Sequence, residues 1–189
     1  MLNQIALVTV GLLRLKRGPQ DMPGSREALI VVILAYVSVA LGSFRMQELP
    51  WADAISAALL GMALLWLFIW GVLAAARKAA RVRQTFTSLL AANTALELIG
   101  LIPTWQVKPW QKQFQQSVEE VGIEAATAMM QDPPVGAFSI IIVVFLWFLV
   151  VMMHVLKHAL ETSYLQAALV ATLYPMVIVM LSLPFLRGG

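Results

Sequence analysis

The sequence contains no cysteine and few charged residues, and each absence excludes classes of protein. Without cysteine the chain has no disulfide and no thiolate to act as a nucleophile or a metal ligand. Charged residues make up 12% of the 189 residues and hydrophobic residues 60%, which excludes a disordered chain and an ordinary soluble domain. Glycine-rich phosphate loops and the Gly-x-Ser-x-Gly nucleophile motif are also missing. We therefore expect no cofactor and no enzymatic activity.

Long uncharged segments take the place of charge in this sequence. Five of them predict membrane-spanning helices, because each has about 17 to 24 residues and a helix rises 1.5 Å per residue across about 30 Å of hydrocarbon. We place these spans at residues 28–44, 54–76, 84–104, 135–156 and 163–186. The predicted fold is an all-α polytopic membrane protein with five transmembrane helices, built as a single membrane domain over residues 1–189.

Two further segments predict amphipathic helices at the membrane interface. Residues 2–13 are too few to span, and a signal peptide is the alternative. The basic residues follow this apolar segment, whereas in a signal peptide they precede it. The second segment lies in an outer loop, residues 105–134, where apolar residues recur at helical spacing from Trp110 to Met130 before Pro133 and Pro134. This loop helix lies along the membrane or packs over the helix bundle.

The distribution of lysine and arginine predicts the orientation. With a cytoplasmic amino terminus, nine basic residues lie inside and four outside, and the densest group lies within residues 77–83. Because short basic loops stay in the cytoplasm, we predict a cytoplasmic amino terminus and a carboxyl terminus on the outer side. These basic residues flank the spans, so the net charge of +3 does not indicate binding to nucleic acid.

Polar residues within the third span form a candidate intramembrane site. Asn93 and Glu97 are one helical turn apart and share a face, with Thr94 beside them. A carboxyl group inside the bilayer must be protonated, paired or in contact with a wet cavity, so it suggests a proton relay, a cation ligand or a substrate contact. The competing interpretation is structural, an interhelical hydrogen bond from Glu97 to Asn93 or to a neighbouring hydroxyl.

His154, His158 and Glu161 form a second, weaker candidate at the end of the fourth span. Their spacing allows all three to face one way on a continuous helix, and two imidazoles with a carboxylate could bind zinc. The spacing lacks the His-Glu-x-x-His motif. Histidines at a membrane surface are the commoner explanation, so we predict that this cluster is structural and that the chain holds no metal.

The third and fourth spans resemble those of the YIP family, the Ypt/Rab-interacting membrane proteins. The likeness lies in residues 84–90, continuing through Leu98-Ile99-Gly100-Leu101-Ile102-Pro103, and in Lys157-His158-Ala159-Leu160. The chain is similar to a short bacterial form, which implies a bacterial inner membrane. Its third loop is longer than is usual in the family, and residues 17–21 replace the Asp-Leu-Tyr-Gly-Pro element of the eukaryotic members, which recruit small GTPases. The resemblance implies a membrane organiser or adaptor.

Two classes of function remain open from the sequence. The first is a non-enzymatic membrane scaffold of the YIP type, whose partners are the lipid bilayer and other membrane proteins or a second copy of itself. The second is a small transporter or ion-conducting protein that uses Asn93 and Glu97. This alternative is also favoured by Pro175, which predicts a kink in the fifth span because proline removes a backbone hydrogen bond.

Overall fold

The structure is a computed structural model that describes residues 1–129 and 132–186, with side chains for residues 1–128 and 132–180. Over these residues the chain forms seven α-helices and no β-strand, which confirms the all-α prediction. Met130, which ends the predicted loop helix, and residues 187–189, at the carboxyl terminus that we predict to face outward, lie outside the described part.

Four helical segments are long and apolar enough to cross a membrane, namely α2, α3, α6 and the segment Ala79–Val121 that contains α4. Two shorter apolar helices accompany them, α1 and the part of α7 over Tyr164–Met180. The fifth predicted span corresponds to α7, so the count of five spans stays a prediction. The helices are α1 (Leu2–Leu13), α2 (Arg26–Met46), α3 (Trp51–Ala75), α4 (Val82–Val121), α5 (Ile123–Met129), α6 (Val135–Leu160) and α7 (Tyr164–Leu186).

Helix α4 is the central element of the bundle. It packs most extensively against α6 and α2 and also contacts α1, α3 and α5. Small side chains let the neighbours approach closely: Ala28 and Ala40 are buried on α2, and Ala167 and Ala171 on α7. We call the end of the bundle where α3 ends and α4 begins the inner end, and the opposite end the outer end.

Helix ends follow from local side-chain and backbone chemistry. Ser25 caps α2, since its Oγ accepts a hydrogen bond from the backbone N–H of Ala28 at 3.1 Å. Four non-glycine residues adopt the left-handed conformation just after a helix, which closes the last helical turn. They are Leu15, Glu48, Arg77 and Glu161, with φ between 54° and 64°. Two of these residues are glutamates whose carboxylates form ion pairs, described below.

The helix of the third predicted span extends beyond residue 104, and the place where it leaves the membrane stays a prediction. Helix α4 continues through Pro103 and Pro109 as far as Val121, so residues 105–121 of the predicted loop are helix. Proline lacks one backbone donor but does not end a helix that neighbouring elements support. Here the support comes from ion pairs to Glu48 and from the Trp110 ring, whose centroid is 5.5 Å from that of Phe138 on α6. The predicted loop helix is instead divided at Gly122, whose φ of 81° suits glycine.

Helix α1 has the predicted bounds, but its surface differs from the amphipathic prediction. Ile5, Val8 and Leu12 are buried against the bundle. The opposite side is also largely apolar, with Leu2 and Leu7 each 64% exposed. Because both faces of α1 are apolar, we expect the face that packs on the bundle to contact protein and the opposite face to contact lipid hydrocarbon. Its position at the membrane interface stays a prediction.

Pro175 lies inside α7, which continues as helix before and after it. Together with Met176, Val179 and Met180 it lines a shallow apolar groove. Prolines within membrane helices are tolerated because neighbouring groups satisfy the freed carbonyl. The kink that we expect at Pro175 stays a prediction.

Candidate functional site

The three polar residues predicted inside the third span occupy two environments on α4. Asn93 and Glu97 are half-buried and line one groove, as expected for residues one helical turn apart. Thr94 is buried, and its Oγ1 donates a hydrogen bond to the carbonyl oxygen of Leu90 at 2.7 Å. The structure therefore brings Asn93 and Glu97 together, while the Thr94 hydroxyl is occupied within its own helix.

The Glu97 groove, as we call it, lies between α2, α4 and α6 and has a volume of about 340 Å³. Tyr36 contributes to it from α2 and Phe145 and Phe148 from α6. The Ser43 side chain of α2 interacts with the Glu97 carboxyl. A hydroxyl beside a carboxyl group provides a polar contact between two helices in hydrocarbon, where water does not compete. The groove can therefore hold Glu97 without a basic partner.

Sequence reasoning missed the residues around Glu97 on the other helices. Tyr36 and Ser43 are seven residues apart and therefore lie two turns apart on the buried face of α2. This spacing is the signal that could have identified them. Tyr174 of α7 approaches the same region, because its ring centroid is 6.4 Å from that of Phe148. Tyr36 and Ser43 thus accompany the Glu97 carboxyl group, and the Tyr174 ring packs nearby.

An apolar layer separates the Glu97 groove from the inner end of the bundle. Leu89 and Leu90 of α4 are 0% exposed, as are Val151 and Met152 of α6. These four residues lie on the two helices that pack most extensively together. Interiors of this kind are close-packed and leave no room for a chain of water molecules. The groove is therefore closed on its inner side by about one helical turn of apolar side chains.

The predicted cluster of His154, His158 and Glu161 does not converge on one point. The Nε2 atom of His154 donates to the carbonyl oxygen of Arg17 at 3.0 Å, and Nδ1 of His158 donates to the carbonyl oxygen of His154 at 2.8 Å. Glu161 follows α6 in the left-handed conformation and binds cations on another element. In the described part of the chain no three His, Asp or Glu side chains are grouped to hold a metal ion.

An inner cluster of Lys78, Arg81 and Glu161 joins the start of α4 to the end of α6. Lys78 Nζ is 2.6 Å from Glu161 Oε2, and Arg81 pairs with the other carboxylate oxygen. The same two cations also donate to carbonyl oxygens at the end of α6, Lys78 to Leu160 at 2.7 Å and Arg81 to Ala159 at 3.0 Å. Hydrogen bonds from Lys78 and Arg81 lower the pKa of Glu161 to about 2.

An outer cluster of Glu48, Lys108 and Lys112 joins the turn between α2 and α3 to the extension of α4. Lys108 Nζ is 2.9 Å from one carboxylate oxygen of Glu48, and Lys112 Nζ is 3.2 Å from the other. The two lysines are one helical turn apart, so they reach the same carboxylate. Hydrogen bonds from Lys108 and Lys112 lower the pKa of Glu48.

One comparison with known proteins identifies a family. The family described as Yip1 domain matches residues 14–186, which include the site and both ion-pair clusters. No curated protein and no solved structure matches the chain. The match also covers residues 84–103 and 157–160, on which the resemblance in the sequence was noted.

Proposed function

Since the chain belongs to the Yip1 domain family of integral membrane proteins, which are generally non-enzymatic, we propose that it is a membrane scaffold or adaptor. In this role it binds other membrane proteins or lipids through its lateral surfaces. Those surfaces are broad and apolar: Leu59, Leu67 and Trp70 of α3 and Val143 and Leu146 of α6 are all more than 40% exposed to the surroundings of the bundle.

The observation that carries this proposal is the apolar layer next to the Glu97 groove. A transporter or channel needs polar groups that continue from one side of the membrane to the other. Here the polar groove meets Leu90 and Met152, which are completely covered by protein. The position of the Ser43 hydroxyl beside Glu97 supports a structural role for this carboxyl group in linking α4 to α2.

The second candidate function is transport of a proton or a small cation, and the groove itself favours it. Asn93 and Glu97 lie side by side with Tyr36 in a space large enough for water. A change in helix packing that opened the apolar layer would connect this groove to the inner end. Pro175 in α7 is a position where such a change could occur.

Substitution of Glu97 separates the two functions. Glutamine keeps a donor and an acceptor but cannot titrate, so under the scaffold proposal Glu97→Gln retains both the fold and the cellular phenotype. Glu97→Leu removes the polar contact and costs on the order of 1 kcal/mol. Thermal unfolding in detergent and a growth or flux phenotype measure both effects, with Leu98→Met as a control on the lipid-facing side. A stable Glu97→Gln protein without function would overturn the scaffold proposal.

The proposed topology has five spans, with α7 as the fifth, a cytoplasmic amino terminus and an outward carboxyl terminus in a bacterial inner membrane. The support is the distribution of basic residues, nine inside and four outside. A reporter that is active only outside the cytoplasm is expected to be active after Gly189 and inactive within residues 77–83. Activity at both positions, or at neither, would mean that one of the three proposed spans after residue 83 does not cross the membrane.

A further inference from the structure

A polar groove at the inner end of the bundle brings His158 and Glu161 together with residues of α4 and of the segment before α2. It has a volume of about 310 Å³, within the range of about 300 to 1,000 Å³ typical of small-molecule sites. The groove lies where α4 begins and α6 ends, so we expect it at the level of the lipid headgroups in either orientation of the chain. Its polar lining consists of Gln20, Arg81, Gln84, Thr85, His158 and Glu161.

A buried hydroxyl without a partner marks this groove as incomplete. Thr85 is 0% exposed, and its Oγ1 forms no hydrogen bond within the described part of the chain. Thr87 and Thr94 on the same helix behave differently, because each donates to a carbonyl oxygen four residues earlier. Since native structures rarely leave a buried polar atom unsatisfied, the Thr85 hydroxyl indicates a missing hydrogen-bonding group in the groove.

The net positive charge of the inner cluster and the hydrogen-bond donors around Thr85 favour an anionic ligand. Lys78 and Arg81 carry two positive charges against one negative charge on Glu161, so the inner cluster has a net charge of +1. Three of the five N–H donors of Arg81 are used in its described contacts, to two carbonyl oxygens and to Glu161. These contacts fix the guanidinium and leave two donors for a ligand.

The start of α4 adds to this preference for negative charge. No side chain in the described part of the chain caps α4 at Arg81, and the N–H of Val82 donates to the carbonyl oxygen of Ala79, so the start of α4 contributes the positive end of its helix dipole. A phosphate group, with several acceptor oxygens and a negative charge, matches all of these donors.

We propose that the inner groove binds the phosphate ester of a membrane lipid headgroup, with Thr85 and Arg81 as hydrogen-bond donors to its oxygens. This inference rests on the proposed scaffold role and names a lipid ligand for it. Its outcome is independent of the Glu97 substitutions, because the apolar layer at Leu89 and Met152 separates the two sites. A failure of headgroup binding therefore leaves the scaffold proposal to be decided by Glu97.

The experiment measures thermal stability of the delipidated protein in detergent with added phosphatidylglycerol. We expect this lipid to raise the Tm, and diacylglycerol with the same acyl chains to leave it unchanged. Thr85→Val removes the unpartnered hydroxyl and is expected to raise the half-saturating lipid concentration about tenfold or more, while the lipid-free protein stays folded. Thr85→Ser keeps a hydroxyl and is expected to retain binding.

Ser88→Ala is the matched control, because the Ser88 hydroxyl is also buried and unpartnered in the described part of the chain but does not line the groove. It is expected to bind phosphatidylglycerol like the wild type. Glycerol 1-phosphate distinguishes the source of the phosphate: an effect of the lipid alone supports a headgroup, and an equal effect of glycerol 1-phosphate at equal concentration would overturn the headgroup proposal in favour of a soluble phosphate ester. Equal stabilisation by diacylglycerol, or an equal loss of binding in Ser88→Ala, would overturn the proposal.

Discussion

The inner and outer halves of α4 differ in how the other helices surround them. Every side chain from residue 85 to residue 92 is buried, which means that the inner half is covered on all sides. Beyond Glu97 only Pro103 and Val107 are buried on α4. One continuous helix is thus fully covered by its neighbours in its inner half and partly exposed in its outer half. Helical propensity alone does not distinguish these two halves.

The two ion-pair clusters repeat this contrast. Each consists of a glutamate in the left-handed conformation and two cations that approach its two carboxylate oxygens. In the inner cluster the cations also bind carbonyl oxygens that end α6, so they satisfy backbone groups without an intrahelical partner. The two lysines of the outer cluster bind Glu48 alone in the described structure. The inner cluster therefore joins two helix ends, whereas the outer cluster holds the partly exposed outer half of α4.

The largest expected effect comes from the same truncation in the two halves of α4. Leu89→Ala leaves a cavity in a fully covered part of the helix and should lower the free energy of unfolding by about 2 kcal/mol or more. Leu98, which is 51% exposed, loses few protein contacts when truncated. Leu98→Ala should therefore stay within about 0.5 kcal/mol of the wild type. Equal losses in thermal or denaturant unfolding would show that the two halves are packed alike.

A smaller difference is expected between the two clusters. Glu161→Gln removes the carboxylate that holds Lys78 and Arg81 against the end of α6, so it should lower the Tm more than Glu48→Gln does. The effect of Glu48→Gln should also shrink in high salt, because exposed ion pairs are screened. A larger fall in Tm for Glu48→Gln than for Glu161→Gln in low salt would contradict this difference between the two clusters.

Acid should weaken the inner cluster in a defined pH range. The pKa of Glu161 in the folded protein is about 2, below its ordinary value of 4.5, so its stabilising effect is fully present above about pH 4.5. That effect is lost as the pH falls toward 2 and the carboxylate becomes protonated. The Tm of the wild type should therefore fall more steeply below about pH 4.5 than that of Glu161→Gln. Parallel pH profiles for the two proteins would contradict the depressed pKa.

The smallest expected effect concerns metal at the inner end. Replacement of His154 and His158 by glutamine should leave the metal content unchanged, because their described contacts are to the carbonyl oxygens of Arg17 and His154. Elemental analysis of the purified protein measures this directly. Stoichiometric zinc in the wild type that disappears in the double variant would restore the metal interpretation.

Most of the helical architecture could be predicted from local sequence. The lengths and apolarity of α2, α3 and α6 depend on nearby residues, and the boundaries agree with the predicted spans to within a few residues. Local sequence does not reveal that α4 continues through Pro103 and Pro109, because a proline interrupts a helix only when nothing else supports it. The ion pairs of Lys108 and Lys112 to Glu48, about 60 residues away in sequence, supply that support.

The sequence by itself determined that this chain is an all-α membrane protein with a carboxyl group inside its third span, since uncharged length and helical spacing are properties of short segments. Only the tertiary structure decided which partners the polar residues have. It placed Ser43 beside Glu97, paired Glu161 with Lys78 and Arg81, and left the Thr85 hydroxyl without a partner in the described part of the chain. The physical reason is that these contacts join helices distant in sequence, and their geometry depends on how whole helices pack.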